Sequence, residues 1–198
     1  MMAPRLSATD SILLVIDVQD RLLAVMPDAP GLVRDVGFVL DVANLLQIPA
    51  RATEQYPEGL GPTNAELVRR LPADRPAKVS FSCCGAGGLL AELGRLGRPN
   101  VIVAGMETHV CIMHTVLDLL GEGLHVFVPV DAVQSRYRVD HDTALRRMVQ
   151  AGAVLTTAET TAFEWLGGSD HPQFKAVSKL VQERMKALES PRSADRGL

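Results

Sequence analysis

The chain of 198 residues predicts a three-layer α/β fold, with a central, mostly parallel sheet of about six strands and helices on both faces. Two observations lead there. Short apolar runs bounded by turn residues recur along the chain, and apolar residues at helical spacing fill the intervals between them. Strands that alternate with helices require parallel crossovers, which cover both faces of a sheet in a Rossmann-like arrangement. With 47% hydrophobic residues the chain can bury a sizeable core, and no repeat, low-complexity tract or linker divides it. Residues 1–198 therefore read as a single domain.

Strands are expected near residues 12–17, 48–53, 77–80, 100–105, 124–129 and 153–156. The first, Ser11-Ile-Leu-Leu-Val-Ile16, is continuously apolar, as a strand buried on both faces requires, and it ends on Asp17. Helices are expected over 32–46, 89–96, 110–120, 140–151 and 174–188. In the third of these, Val110, Met113, Val116, Leu117 and Leu120 fall at helical spacing and predict the buried stripe. The ends, 1–9 and 190–198, are polar or contain Pro, Arg and Gly, and are expected to be loose. The run Gly85-Ala-Gly-Gly-Leu-Leu90 enters a helix but is no dinucleotide fingerprint: Leu90 occupies the third glycine position, and the run follows the third strand rather than the first.

Composition excludes several functions. A net charge of -3, with no basic run interleaved with aromatics, argues against a nucleic-acid partner. Three cysteines form no disulfide framework, and Cys83-Cys84 are vicinal rather than a Cys-x-x-Cys redox pair; they read as structural, with a place beside the crevice as the alternative. The apolar run Ile12–Ile16 is too short to span a membrane and no targeting segment is visible, so a cytoplasmic protein with no membrane partner is expected.

The stretch Val101-Ile-Val-Ala-Gly-Met-Glu-Thr-His-Val-Cys111 carries the chemistry. A strand runs through a glycine into a cysteine at a helix start, where the partial positive charge of the helix end favours a thiolate. A small buried cysteine packed at a helix end is the alternative. Asp17 stands at the carboxyl end of the first strand and Lys78 in the third. In an open parallel sheet those ends converge on one crevice, so Asp17, Lys78 and Cys111 are expected to meet there. Glu54 and Gln55 either face that crevice or lie on a solvated loop.

These residues, with Leu14-Val-Ile-Asp-Val-Gln19, Thr53-Glu-Gln-Tyr-Pro57, Phe81-Ser82, Gly105-Met-Glu-Thr-His-Val-Cys111 and Asp131-Ala-Val-Gln-Ser-Arg136, resemble the isochorismatase-like cysteine hydrolases, closest to the isochorismatase-domain-containing branch. The resemblance covers nearly the whole chain. It implies a catalytic triad of Asp17, Lys78 and Cys111, and a cis peptide at Met106–Glu107. It also implies an oxyanion hole from the backbone N–H groups of Glu107 and Cys111, and a dimer or larger homo-oligomer. The expected reaction is hydrolysis of a C–N bond in a small amide or carbamoyl compound through a Cys111 thioester, with vinyl-ether cleavage as a different chemistry on the same scaffold. Gln19, Gln55 and Phe81 are the expected substrate contacts. Metal-dependent relatives carry an Asp-x-His pair and a further histidine after the second strand. Here that region reads Arg51-Ala-Thr-Glu-Gln-Tyr56 and no histidine precedes His109, so neither metal nor other cofactor is expected.

Other readings stand beside this one. His109 or His114 could pair with Cys111, His141 and His171 read as surface residues, and Ser135-Arg136 suits a substrate carboxylate, a structural salt bridge or a subunit contact. Phe163 and Trp165 are candidates for an exposed subunit interface. With one Trp, two Tyr and five Phe, a large aromatic cage is not expected. A non-catalytic oligomeric scaffold or small-molecule binding protein on the same fold is the alternative from another class.

Overall fold

A computed structural model describes residues 5–189. Its centre is a seven-stranded sheet of β1 (Ser11–Ile16), β2 (Ala50–Gln55), β3 (Ala77–Lys78), β4 (Asn100–Met106), β5 (His125–Pro129), β6 (Val133–Gln134) and β7 (Val154–Thr156). The order is β3-β2-β1-β4-β5-β7, with β6 beside the end of β4, and every pairing is parallel. The seventh strand is the two-residue β6, too short to leave a periodic signal. β3 stops at Lys78, and Val79 beyond it is largely exposed.

Every residue of β1 and β4 is buried, and their side chains alternate between two apolar clusters. Leu13, Val15, Ile102 and Ala104 pack with α2 (Ala29–Leu45), α8 (Ala158–Leu166) and α9 (Phe174–Glu189). Ile12, Leu14, Ile16, Val101 and Val103 pack with α5 (Leu89–Leu96), α6 (Met113–Gly121) and α7 (Arg138–Ala151). The short helices α1 (Asp20–Leu23), α3 (Pro57–Leu60) and α4 (Ala65–Val68) complete the chain. α2 starts earlier than its apolar pattern, because Asp28 caps it by accepting from Gly31 N and Pro30 stands in the first turn. The unexpected α8 is capped by Thr157, whose hydroxyl accepts from Thr160 N.

Several expectations are corrected. The buried face at and after Cys111 is Ile112, Met113, Thr115, Val116 and Leu119; Val110, Leu117 and Leu120 are only partly covered. A π turn over Thr108–Ile112 precedes α6 and shifts the phase that α-helical spacing assumes. Residues 1–4 and 190–198 of the expected loose ends lie outside the described residues. Leu6 is buried in the core, and its N–H donates to the Glu164 carboxylate at 3.2 Å. Trp165 is also buried, its indole N–H donating to Ser11 Oγ at 3.0 Å, whereas Phe163 is exposed. Among the described residues no helix is long and apolar enough to cross a membrane.

Candidate active site

The strand order changes direction between β1 and β4: the chain proceeds from β1 outward to β2 and β3, but from β4 to β5 and β7 on the other side. Such a switch opens a crevice at the carboxyl ends of the two strands. Register sets the level of the groups around it. Ile16 lies opposite both Thr53 and Gly105, and Lys78 lies opposite Gln55. Gly105 is required here because a Cβ would stand 2.1 Å from the Ile16 carbonyl oxygen, at a φ of +120°.

Asp17 leaves β1 in the left-handed region, φ 52°, with its carbonyl accepting from Gln19 N at 2.8 Å. Its side chain is fully buried. Oδ1 accepts from the Thr53 hydroxyl at 2.8 Å, and Oδ2 from Lys78 Nζ at 2.6 Å. Lys78 also donates to Gln55 Oε1 at 2.6 Å and lies 3.1 and 3.2 Å from the carbonyl oxygens of Phe81 and Ser80. An ammonium has three protons, so these four acceptors leave it no spare donor. Burial works against its charge, but the Asp17 carboxylate outweighs burial and holds its pKa above the ordinary lysine value.

Cys111 sits on the π turn at the edge of this pair, 6% exposed, with Sγ 3.9 Å from Gln55 Oε1. Burial first, and then the Asp17 charge, push the thiol well above its ordinary range against the downward pull of Lys78; a weaker hydrogen-bonding contribution from Asp17 acts in the same direction. The resting group is a thiol, not the thiolate that the helix-end argument alone suggests. Thr115 braces the turn, donating from Oγ1 to the Cys111 carbonyl at 2.7 Å and accepting from Cys83 N at 2.9 Å. The Met106–Glu107 peptide is cis. The Glu107 carbonyl accepts from the N–H groups of Val110 and Ile112, and its carboxylate from Arg136 N and Nε at 3.1 and 3.0 Å.

The structure thus brings Asp17, Lys78, Cys111 and Gln55 together. It gives Gln19 another position: the residue is fully buried, its amide nitrogen donating to the carbonyls of Gln55 and Gly61 and its oxygen accepting from Gln55 N. The side chain thus braces the segment after β1 against the end of β2 and the loop that follows it. Phe81 contributes its carbonyl to Lys78, while its exposed ring stands 6.0 Å from that of His114. Glu54 turns to Thr63 and Arg75. His109 Nδ1 meets Ser135 Oγ at 3.0 Å and His114 Nδ1 donates to the Val110 carbonyl at 2.7 Å, so both rings are engaged away from Cys111. Arg136 takes its salt-bridge alternative, with Glu107. His141, read as a surface residue, is half-buried against Thr108, and burial lowers its pKa.

Thr53 is the member that sequence reasoning passed over. A hydroxyl at the last buried position of β2 was the available signal. Cys83 is buried behind it, 3.2 Å from the Thr53 hydroxyl, with its thiol pushed up to about 12 by burial and then by Asp17. Among the described residues no group of three or more His, Cys, Asp or Glu is placed to hold a metal.

The fold is an α/β sheet of the hydrolase type, and its crevice holds a buried acid–lysine pair beside a cysteine. The chain belongs to the isochorismatase domain family, whose model matches residues 11–160. Isochorismatase domain-containing protein 2A of Mus musculus is 42% identical over 181 residues, 90% of this chain and 86% of the mouse protein. The structure described as MAR1 ribonuclease from Caenorhabditis elegans superposes with a TM-score of 0.84 at 41% identity, covering 90% of this chain and 93% of the other. YcaC from Escherichia coli, described as an octameric hydrolase of unknown specificity, superposes at 0.84 with 25% identity, over 98% and 99% of the two chains. YcaC from Pseudomonas aeruginosa, described with hexane-2,5-diol and covalent acrylamide, gives 0.83 at 26% identity over 96% and 98%.

Proposed function

We propose that this protein is a cysteine hydrolase that cleaves the C–N bond of a small amide or carbamoyl compound, with Cys111 as nucleophile, Asp17 as proton carrier and Lys78 as a fixed counter-charge. The observation that carries this reading is the buried Lys78–Asp17 pair at 2.6 Å, with the Asp17 carboxylate among the groups that act on the Cys111 thiol. The thiol sulfur adds to the carbonyl carbon as its proton passes to Asp17. The backbone N–H groups of Glu107 and Cys111 receive the developing negative charge on oxygen, and each such donor is worth a factor of about 100 to 1,000 in rate. Collapse breaks the C–N bond, and Asp17 returns the proton to nitrogen, which leaves as ammonia or an amine. Water then adds to the Cys111 thioester and gives its proton to Asp17. The C–S bond breaks, releasing the acid and restoring the thiol.

Gln55, whose oxygen lies between Lys78 and Cys111, positions both. The covalent acrylamide described for the P. aeruginosa neighbour supports a reactive site in this fold, and the octamer described for the E. coli neighbour supports a homo-oligomer here. Native mass spectrometry of the full chain tests the latter; a monomer at micromolar concentration overturns it.

The activity test is ammonia release from a panel of small amides and carbamoyl compounds, with intact-mass detection of an acyl adduct. The wild type is expected to turn over at least one of them; Cys111→Ala is expected to form no adduct and Asp17→Asn to lose turnover. The ribonuclease description of the C. elegans neighbour supplies a second reading. RNA cleavage that disappears in Cys111→Ala, with no amide hydrolysed, would replace the amidase proposal. Full function in Cys111→Ser would favour a binding scaffold.

A further inference from the structure

Hydrogen-bond accounting around Cys111 limits the charge of the molecule that enters. Lys78 has four acceptors for its three protons. Asp17 accepts from Thr53 and Lys78, and the Gln55 amide donates to the Val79 carbonyl while its oxygen accepts from Lys78 and Cys111. The buried pair is neutral as a unit, one ammonium against one carboxylate, and both side chains are wholly covered. Of the arginines on the neighbouring elements, Arg75 lies against Glu54, Arg136 against Glu107 and Arg138 against Asp142, while Arg21 donates to the Gly59 carbonyl and Arg147 stands 3.9 Å from the Met113 sulfur.

An anion at Cys111 would therefore lose its water without gaining a free donor or a net positive charge from the buried pair beside it, and an unpaired charge is the costliest group to bury. The remaining positive feature is the N-terminal end of the helical segment that carries Cys111. In the reaction proposed above, that end serves the charge developing on the carbonyl oxygen, and a resident carboxylate would compete for it in the ground state. Three large side chains next in sequence to site groups are more than half exposed, Tyr56 after Gln55, Val79 after Lys78, and Phe81, whose ring stands 6.0 Å from that of His114 on α6.

We infer that the substrate is uncharged, a small neutral amide or carbamoyl compound without carboxylate or phosphate, its acyl group lying on the apolar rim of Tyr56, Val79 and Phe81. The inference rests on the covalent-hydrolase reading for the identity of the reacting group, but its charge selectivity is measurable without a substrate. Iodoacetamide and iodoacetate alkylate a thiolate by the same displacement of iodide and differ in charge; the first is itself a small neutral amide. The ratio of their second-order rate constants at Cys111, followed by peptide mass mapping at pH 9 and divided by the same ratio for a small free thiol, reads the selectivity of the site.

The expected normalised ratio is 10 or more in favour of iodoacetamide, on the order of what one uncompensated charge costs in a partly buried site. Asp17→Asn leaves Lys78 uncompensated and is expected to shift the ratio toward iodoacetate by at least a further order of magnitude. A wild-type ratio of one or below overturns the inference, whether or not amides are hydrolysed; so does a ratio that Asp17→Asn leaves unchanged. Propionamide and succinamate, assayed for ammonia release, test the hydrolase reading separately. A high reagent ratio with neither hydrolysed supports the neutral site and counts against the hydrolase. Faster hydrolysis of succinamate supports the hydrolase and overturns the neutral substrate.

Discussion

Replacing Lys78 by methionine deletes the ammonium that faces the buried Asp17 carboxylate while keeping a side chain of similar length. At 2.6 Å, with an effective dielectric constant of about 20, the gross attraction of the pair is about 6 kcal/mol. Several kcal/mol of desolvation per ion offset it, so the intact pair contributes little net stability. The variant is different, because the carboxylate stays buried with the Thr53 hydroxyl as its remaining close donor. Lys78→Met is therefore expected to cost about 3–5 kcal/mol at pH 8, the range for breaking a buried pair on one side. Asp17→Asn should cost less, since the ammonium keeps Gln55 Oε1 and the Ser80 and Phe81 carbonyls. The double variant leaves no buried charge and should recover about 1–3 kcal/mol relative to the sum of the singles. Urea melts of the four proteins at pH 8 measure this. A Lys78→Met loss below about 1 kcal/mol at pH 8, additive with Asp17→Asn, would refute a charged, buried pair.

Four further outcomes follow from particular contacts. Asp17→Asn removes a charge that holds the Cys111 thiol up, so the Cys111 pKa falls and the thiolate fraction at pH 8 rises: iodoacetamide labelling should accelerate while turnover drops, and equal labelling of the two proteins would contradict the assigned cause. Cys83, with its thiol near 12, should stay unlabelled in the folded protein at that pH. Gly105→Ala places a Cβ against the Ile16 carbonyl at a φ of +120°, a loss of about 3 kcal/mol or more from strain and clash, and a thermal midpoint within 2 °C of wild type would show that the close approach is not made. Trp165→Phe deletes the hydrogen bond to Ser11 Oγ and should lower the midpoint by about 2–4 °C, consistent with about 1 kcal/mol for one buried bond in a chain of this size; no change in a thermal melt would mean that the indole N–H finds another partner.

The parts legible in the sequence are those with strong periodicity or a demanding backbone. The continuous apolar runs of β1 and β4 announced strands buried on both faces, and Asp17, Lys78 and Cys111 fell at the carboxyl ends because a parallel sheet puts them there. Elements of two to four residues left no period to read: β6, α1, α3 and α4 are held by contacts with the rest of the molecule, as when β6 extends the sheet by lying against Gly105 and Met106. Burial of single residues was legible only in part. Trp165 looked like an interface residue because its position on α8 was unknown, and the indole N–H satisfied by Ser11, distant in sequence, cannot be inferred locally.

The same limit explains why two glutamines of the crevice could not be told apart. Gln19 and Gln55 are chemically alike in sequence, yet one is consumed in bridging backbone groups and the other points its oxygen between Lys78 and Cys111. What separates them is the path of the loop after β2, which brings the Gly61 carbonyl back onto Gln19. Thr53 shows the converse. A hydroxyl in a mostly covered strand needs a partner, and the strand register that sets Thr53 opposite Ile16 makes Asp17, the next residue, that partner. The Cys111 proton follows from this arrangement. A helix end lowers a thiol's pKa where solvent reaches it, but here burial and a carboxylate act on the same sulfur and win. In the proposed reaction the thiol then gives up its proton only as the C–S bond forms, when the negative charge moves onto the carbonyl oxygen and away from Asp17.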